Sequence, residues 1–128
     1  LYCYWCRSPF KSSPIGCPIK YQNNKYTVDG IFCSFNCCHT YIQHKHYDSF
    51  YEQSSHLLHK LYYDIYGKYI QIKNAPSWKL LKDYGGDKTI EEFRQSFNNI
   101  EYTENDNYIT KIPSQQVISW LHEEHVIF

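Results

Sequence analysis

Four of the six cysteines form two closely spaced pairs, and the spacing of each pair suits a metal ion. The stretch CYWC places Cys3 and Cys6 at C-x2-C, and IFCSFNCC places Cys33 and Cys37 at C-x3-C. If the second stretch is helical, residues four apart lie on one face of the helix, one turn apart. Four thiolates at the corners of a tetrahedron are the usual ligands of structural zinc. The spacing therefore predicts one structural Zn²⁺ held by these four cysteines.

Disulfide bonding and core packing are the alternative roles for the cysteines. A disulfide framework needs an oxidising compartment, and the sequence contains neither a signal peptide nor a long apolar run. Because it begins at Leu1 and has no methionine, there is room for an upstream segment. Cys17 has no partner at metal spacing. Cys38 is the alternative to Cys37 as a ligand, but on a helix its side chain points about 100° away from that of Cys37. Cys17 and Cys38 are predicted to be buried free thiols.

The residues between the two pairs are predicted to form a β-hairpin followed by a helix. Hydrophobic residues alternate on both sides of the polar stretch QNNK, whose asparagines tolerate a left-handed turn. Asp29 and Gly30 predict a second turn. Ser34 is a suitable N-cap for a helix that carries the second pair in or just before its first turn. The order of knuckle, hairpin and helix predicts a treble-clef-like zinc finger.

The sequence after the finger is predicted to be mostly helical. The clearest helix covers residues 49–66, with Asp48 or Ser49 as its cap and Gly67 at its end. Its apolar stripe recurs at helical spacing and consists of Phe50, Ser54, Leu57, Leu58, Leu61, Tyr62 and Ile65. The fold class is therefore α+β, with a zinc finger at 1–47 and a helical extension at 48–128 packed on it as one compact unit.

Shorter elements are predicted along this extension. We expect a strand at 69–72, a helix from Pro76 or Ser77 to Gly85, and a helix at 87–97 capped by Asp87 or Thr89. The remaining predictions are a polar loop at 98–107, a strand at 108–113 and a final helix that starts at Ser114.

The net charge is zero, but the charges are unevenly distributed. Residues 1–60 carry 6 Lys or Arg and 3 Asp or Glu, whereas residues 61–128 carry 7 and 10. A strong nucleic-acid binder usually has a clearer basic surface, so this balance permits such a role without indicating it. The candidate nucleic-acid contacts lie around the knuckle and hairpin, and are Arg7, Lys11, Lys20 and Lys25. The favoured alternative packs the neighbouring aromatic residues around the zinc and leaves the lysines in solvent.

The sequence lacks the motifs of common enzymes. It contains no Walker loop, H-E-x-x-H or G-x-S-x-G, and four cysteine ligands leave no position for a catalytic water. The pairs His56/His59 and His122/His125 have the spacing of helical ligands, but two ligands do not make a metal site. The protein is predicted not to be an enzyme, and to have neither a small-molecule substrate nor a membrane partner.

Three stretches of the sequence resemble one viral family. CYWCRSPFKSSPIGCPIKY, GIFCSFNCCHTYI and NAPSWKLLKDYGGDKTIEEFR follow one another over residues 3–97. They are similar to the late transcription factor 3-like proteins of large cytoplasmic DNA viruses, the poxvirus type, whose finger is of the FCS/MYM kind. The resemblance implies that Cys3, Cys6, Cys33 and Cys37 are zinc ligands and that the protein acts in late viral transcription.

The resemblance also implies partners and a location. We expect a zinc-binding regulator of viral late gene transcription that contacts DNA, the viral transcription machinery or other viral proteins. The alternative is a structural protein of the virion or of another viral assembly, which uses the finger as a scaffold. Either protein would be found in the cytoplasmic factory of an infected cell or in the virion. A zinc-dependent nuclease is disfavoured by the closed cysteine shell.

Overall fold

The computed structural model describes residues 1–97 and the strand Val117–Trp120. The first cysteine pair is followed by strand β1 (Ile15–Gln22), strand β2 (Lys25–Phe32) and helix α1 (Phe35–His44). The two strands pair antiparallel, and the cysteine cluster lies beside the end of the hairpin. The predicted α+β class, with its treble-clef-like order of knuckle, hairpin and helix, is confirmed.

The tip of the hairpin is a two-residue turn. Asn23 and Asn24 have φ of 55° and 59°, and the flanking residues Gln22 and Lys25 pair across the strands. Two consecutive left-handed residues give the backbone twist that matches the strands, and asparagine tolerates that conformation. The turn predicted from QNNK is therefore confirmed.

The second turn, predicted at Asp29 and Gly30, is wrong because both residues lie within β2. Cys17 opposes Asp29 whereas Ile15 opposes Phe32, so β2 carries one residue more than β1 over this interval. Gly30 has a φ of 75°. The segment is a β-bulge in which glycine takes the left-handed position.

The helix predicted at 49–66 is interrupted near its start. A single 3₁₀ turn (Ser49–Tyr51) is capped by the Asp48 side chain, and helix α2 then covers Ser54–Tyr66. Gly67 ends α2 with a φ of 75°, as predicted. Because Phe50 lies on the 3₁₀ turn and not on α2, it is 46% exposed, contrary to the expected stripe.

The other members of that stripe face the protein interior. Ile65 is half-buried and packs on the core, and the buried residues of α2 are Ser54, Leu57, Leu58, Leu61 and Tyr62. One contiguous core joins these residues to the hairpin and the cysteines. The domain boundary after residue 47 stays a prediction.

The segment that follows α2 is less regular than predicted. No strand forms at 69–72, where the chain has no regular secondary structure. The helix expected through KLLKDY is two 3₁₀ turns, Trp78–Leu80 and Lys82–Tyr84, with Ser77 capping the first. Leu81 between them has a buried side chain and an extended backbone that forms an isolated β-bridge with Lys88, so the helix is interrupted at this residue.

Helix α3 (Ile90–Gln95) is shorter than the predicted 87–97 but begins where a cap was expected. The Thr89 side chain accepts a hydrogen bond from the Glu92 amide, and the Glu92 side chain accepts one from the Thr89 amide. This reciprocal capping box satisfies two amides at the helix start.

The final helix predicted from Ser114 is wrong over the part that the structure describes. Val117–Trp120 forms strand β3, which pairs parallel with β2 from Lys25 to Val28. Pairing with the open edge of β2 supplies backbone hydrogen bonds that the local helical pattern does not reveal. The loop predicted at 98–107, the strand predicted at 108–113 and the rest of the final helix lie outside the described residues.

Candidate metal centre

The structure brings together the four cysteines that the spacing selected. The Sγ atoms of Cys3, Cys6, Cys33 and Cys37 all lie within 4.8 Å of one another. The Sγ–Sγ distance is 3.8 Å from Cys6 to Cys33 and 3.7 Å from Cys33 to Cys37. Zn–S bonds of about 2.3 Å imply S–S separations of about 3.8 Å in a tetrahedron. The sulfur positions therefore fit one tetrahedral metal ion such as Zn²⁺.

The first pair is held by a tight knuckle. The Cys3 amide donates to the Ser8 carbonyl at 3.1 Å, and the Arg7 amide donates to the Cys3 carbonyl at 2.9 Å. Arg7 has a φ of 61°, which turns the chain back immediately after Cys6. The Tyr4 amide donates to the Ile31 carbonyl at 2.8 Å, so the knuckle is joined to β2 just before Cys33.

The second pair lies at the start of α1. Cys33 precedes the N-cap Ser34, and Cys37 is in the first turn of the helix. The Ser34 Oγ atom accepts a hydrogen bond from the Cys37 amide at 3.1 Å. The free amides and the dipole at this helix end favour thiolate over thiol.

The four thiols have conflicting protonation preferences without a cation. Burial raises the pKa of Cys3 well above its ordinary value, and a hydrogen bond with Cys3 raises that of Cys37. Hydrogen bonds from Cys3 lower the pKa of Cys6 and of Cys33. Four neighbouring negative charges repel one another, so some sulfurs keep their protons. A divalent cation favours the thiolate at every position because it displaces these protons.

The ligand set determines what such an ion does chemically. Four protein ligands complete a tetrahedral shell and leave no position for water or substrate. An ion bound here would join the knuckle to the start of α1 across the hairpin. The arrangement suits a structural metal and does not provide a site for hydrolysis.

Cys17 and Cys38 are buried, free and outside the group of four, as predicted. Their thiols contact each other, and burial together with this hydrogen bond raises the pKa of Cys38 well above its usual value. Their positions in the sequence gave no indication that the two thiols meet.

The histidine pair on α2 gains no third ligand. His59 Nδ1 lies 2.8 Å from the Ser55 carbonyl oxygen, and among the described residues the four cysteines are the one cluster of metal-binding side chains. His122 and His125 lie outside the described residues.

The predicted basic residues do not share one environment. Lys11, Lys20 and Lys25 are exposed. Arg7 is exposed too, but its guanidinium lies over the Trp78 ring, with 3.6 Å from its central carbon to the ring centroid. A nucleic-acid role for these four residues stays a prediction, and Arg7 has an intramolecular partner that the sequence did not reveal.

Two further side chains connect the knuckle to the extension. The Trp5 side chain is buried, and its indole N–H donates to the Pro76 carbonyl at 2.8 Å. Arg94 on α3 approaches Cys6, with 3.9 Å between its Nη2 atom and Sγ. Arg94 lies in the stretch EEFR, but no role was predicted for it because it is 88 residues from Cys6 in the sequence.

The fold and the site define a small α+β protein with four converging cysteines that can bind one metal ion. No helix in the described part of the chain is long and apolar enough to cross a membrane. No protein-family model matches the chain, and no solved structure shows significant similarity to it.

The chain is similar to curated, uncharacterized proteins of large DNA viruses. It is 32% identical over 130 residues to one from Acanthamoeba polyphaga mimivirus, which covers 98% of this chain and 36% of the relative. It is 39% identical over 87 residues to one from Invertebrate iridescent virus 3, covering 66% of this chain and 37% of the relative. A relative in African swine fever virus is 30% identical over 105 residues, covering 77% of this chain and 60% of the relative.

These relatives confirm the viral part of the predicted resemblance. The chain spans a little over a third of the length of the mimivirus and iridescent virus relatives. The transcription-factor part of the resemblance stays a prediction.

Proposed function

We propose that this chain is a non-enzymatic, zinc-binding regulator of late gene transcription in a large DNA virus. The observation that carries the zinc assignment is the convergence of four cysteine sulfurs within 4.8 Å. The transcription role is supported by the resemblance of the finger and of the stretch after it to late transcription factor 3-like proteins. Relatives in three groups of large DNA viruses are compatible with this role.

The proposed ion is a single structural Zn²⁺. It holds the knuckle and α1 so that the hairpin presents a fixed surface. Elemental analysis of the purified chain should give one zinc per molecule. A chain purified under reducing conditions that takes up neither zinc nor its cobalt analogue would refute the metal part of this function.

The proposed nucleic-acid contacts are the exposed lysines of the finger, because they are free to reach phosphates. Replacing Lys11, Lys20 and Lys25 together by Glu should abolish DNA binding while zinc remains bound. In the wild type, each phosphate contact contributes about one unit to the slope of log K against log salt concentration. Arg7 is left unchanged, since its loss would also disturb the contact with Trp78.

A matched variant controls for the change in net charge. Lys73, Lys82 and Lys88 are exposed lysines of the extension, and their replacement by Glu changes the total charge by the same amount. We expect the control to retain most of the wild-type affinity. Equal loss in both variants would mean that binding follows net charge and not the finger surface.

A second candidate function is assembly with viral proteins. Tyr2, Tyr47 and Tyr69 are 66%, 77% and 68% exposed, and aromatic side chains of this kind are enriched at protein interfaces. Capture of the tagged protein from infected cells, followed by identification of its partners, distinguishes the two functions. Polymerase subunits would support the first, whereas capsid proteins, with no DNA affinity at low salt, would favour the second. The proposed location is accordingly the viral factory or the virion.

A further inference from the structure

Arg94 reaches from α3 to the knuckle that carries the first cysteine pair. Its Nη2 atom donates to the Pro9 carbonyl at 3.0 Å and lies 3.9 Å from the Cys6 Sγ atom. Its Nε atom is buried and has no hydrogen-bond partner among the described residues. The guanidinium is therefore partly removed from water and lies close to a cysteine of the metal centre.

A positive charge in this position needs a negative partner. Removing an ion from water is costly unless another charge or strong hydrogen bonds compensate for it. Among the described residues, no carboxylate forms an ion pair with Arg94. Within the described part of the chain, the negative charge that the structure places beside the guanidinium is that of the sulfur atoms, with Cys6 Sγ 3.9 Å from Nη2. Four thiolates around one Zn²⁺ have a net charge of about −2, and the single positive charge of the guanidinium would offset half of it.

The fold of α3 explains why the guanidinium is in this position. The capping box of Thr89 and Glu92 fixes where the helix begins. Phe93 is fully buried in the core and anchors the helix against the rest of the protein. The neighbouring residue, Arg94, then lies at the edge of this contact, beside Pro9 and Cys6.

We propose that Arg94 is an outer cation of the four-cysteine site, where it retains zinc and protects the Cys6 sulfur by partly neutralising the thiolates. The inference rests on the zinc binding proposed above. Groups that hydrogen-bond or charge-balance metal ligands commonly change metal affinity by about 10- to 100-fold. A thiolate that faces a cation is also a weaker nucleophile, so Cys6 should react slowly with electrophiles.

Zinc transfer to a chromogenic chelator tests the proposal in the full, zinc-loaded chain. R94Q removes the charge and keeps an N–H donor, whereas R94K keeps the charge without the planar fork. We expect R94Q to release zinc at least about 10-fold faster than wild type, with R94K intermediate. K88Q is the matched control, because it removes a positive charge from an exposed residue next to α3; its release rate should equal that of wild type.

A second measurement separates charge from simple loosening of the fold. Iodoacetamide alkylation, mapped by mass spectrometry, should accelerate more at Cys6 than at Cys3 in R94Q. Uniform acceleration at all four cysteines, a wild-type release rate in R94Q, or equal rates in R94K and R94Q would each overturn the proposal. If R94Q does not fold, the zinc-release rates of R94K and K88Q are compared instead. We then expect faster release than wild type in R94K and not in K88Q. Failure of the wild type itself to bind zinc would instead refute the proposed metal site.

Discussion

Neighbouring cysteines at the start of α1 have different surroundings. Cys37 faces the other three sulfurs of the metal centre, whereas Cys38 contacts the thiol of Cys17 in the core. A rotation of about 100° between consecutive helical residues is enough to separate the two environments. Because both residues are fully buried, burial alone does not indicate which of them binds a metal.

Single serine substitutions distinguish these environments. We expect C33S to lose zinc, because three thiolates and a hydroxyl form a much weaker ligand set. C38S should keep one zinc per chain, since its thiol lies outside the group of four. Metal content measured by elemental analysis checks both variants. Full zinc in C33S together with loss in C38S would show that the second pair is wrongly assigned.

Gly30 is required for the knuckle to approach the hairpin. A Cβ atom at this position would lie 2.9 Å from the Cδ2 atom of Tyr4, and the φ of 75° disfavours any other residue. We expect G30A to lower the free energy of unfolding by about 2 kcal/mol or more. Urea denaturation of the zinc-loaded chain measures this change.

Gly67 provides the matched control for that substitution. It has the same φ of 75°, but a Cβ there would meet no atom within 4 Å. G67A should therefore cost only the backbone strain, about 1 kcal/mol. Equal destabilisation by the two substitutions would mean that contact with Tyr4 is unimportant.

At the scale of elements, α2 is fixed to the protein by its buried stripe. Leu58 is fully buried and belongs to the core shared with the hairpin. L58D should destabilise the chain by several kcal/mol, about 3 or more, because it places an unpaired charge in that core. His56 lies on the exposed side of the same helix. The control H56D should therefore change the free energy of unfolding by less than about 1 kcal/mol. An unchanged melting temperature in L58D would contradict the observed packing.

Elements with local signals were predictable from the sequence. Ser34 caps α1, Asn23 and Asn24 form the hairpin turn, and Gly67 ends α2, each through contacts within a few residues. The cysteine cluster was predictable for a related reason, since the spacing within each pair is short and the chemistry of thiolates is restrictive.

Elements that depend on distant partners were not predictable. Val117–Trp120 carries a helical pattern yet pairs with β2, some 90 residues earlier in the chain. Leu81 lies in a local helical pattern, but its backbone is extended and pairs with Lys88, and its side chain is in the core. The role proposed for Arg94 depends on its closeness to Cys6 in the fold, which the 88 residues between them in the sequence conceal. In each case tertiary contact outweighs local preference, and a single sequence does not record which distant residues meet.

At the scale of the whole molecule, the metal centre and the extension share one core. The knuckle contacts the extension through Trp5 and Pro76, through Arg7 and Trp78, and through Arg94. The apolar cluster also includes all three buried ligands, with half-buried Cys33 packed against it. Damage to the metal site should therefore reach elements that contain no ligand.

Zinc removal provides the test of that continuity. Because the ion would bind only the folded chain, its removal should lower the melting temperature of the entire protein. We expect the helical circular dichroism signal, to which α2 contributes the longest described helix, to melt in the same transition as the tryptophan fluorescence. Two separate transitions after chelation would show that the finger and the extension fold independently.

The contacts between the knuckle and the extension also set an order of events during synthesis. The four cysteines are complete once residue 37 has been made, but Pro76 and Arg94 are added much later, 71 and 88 positions after their partners. Chains fold from the N-terminus as they emerge, and contacts between distant residues form last. A zinc ion acquired by the nascent chain would therefore stay exchangeable with cellular thiols and metal carriers until α3 is made. Retention of the metal thus becomes a property of the finished chain rather than of the finger alone.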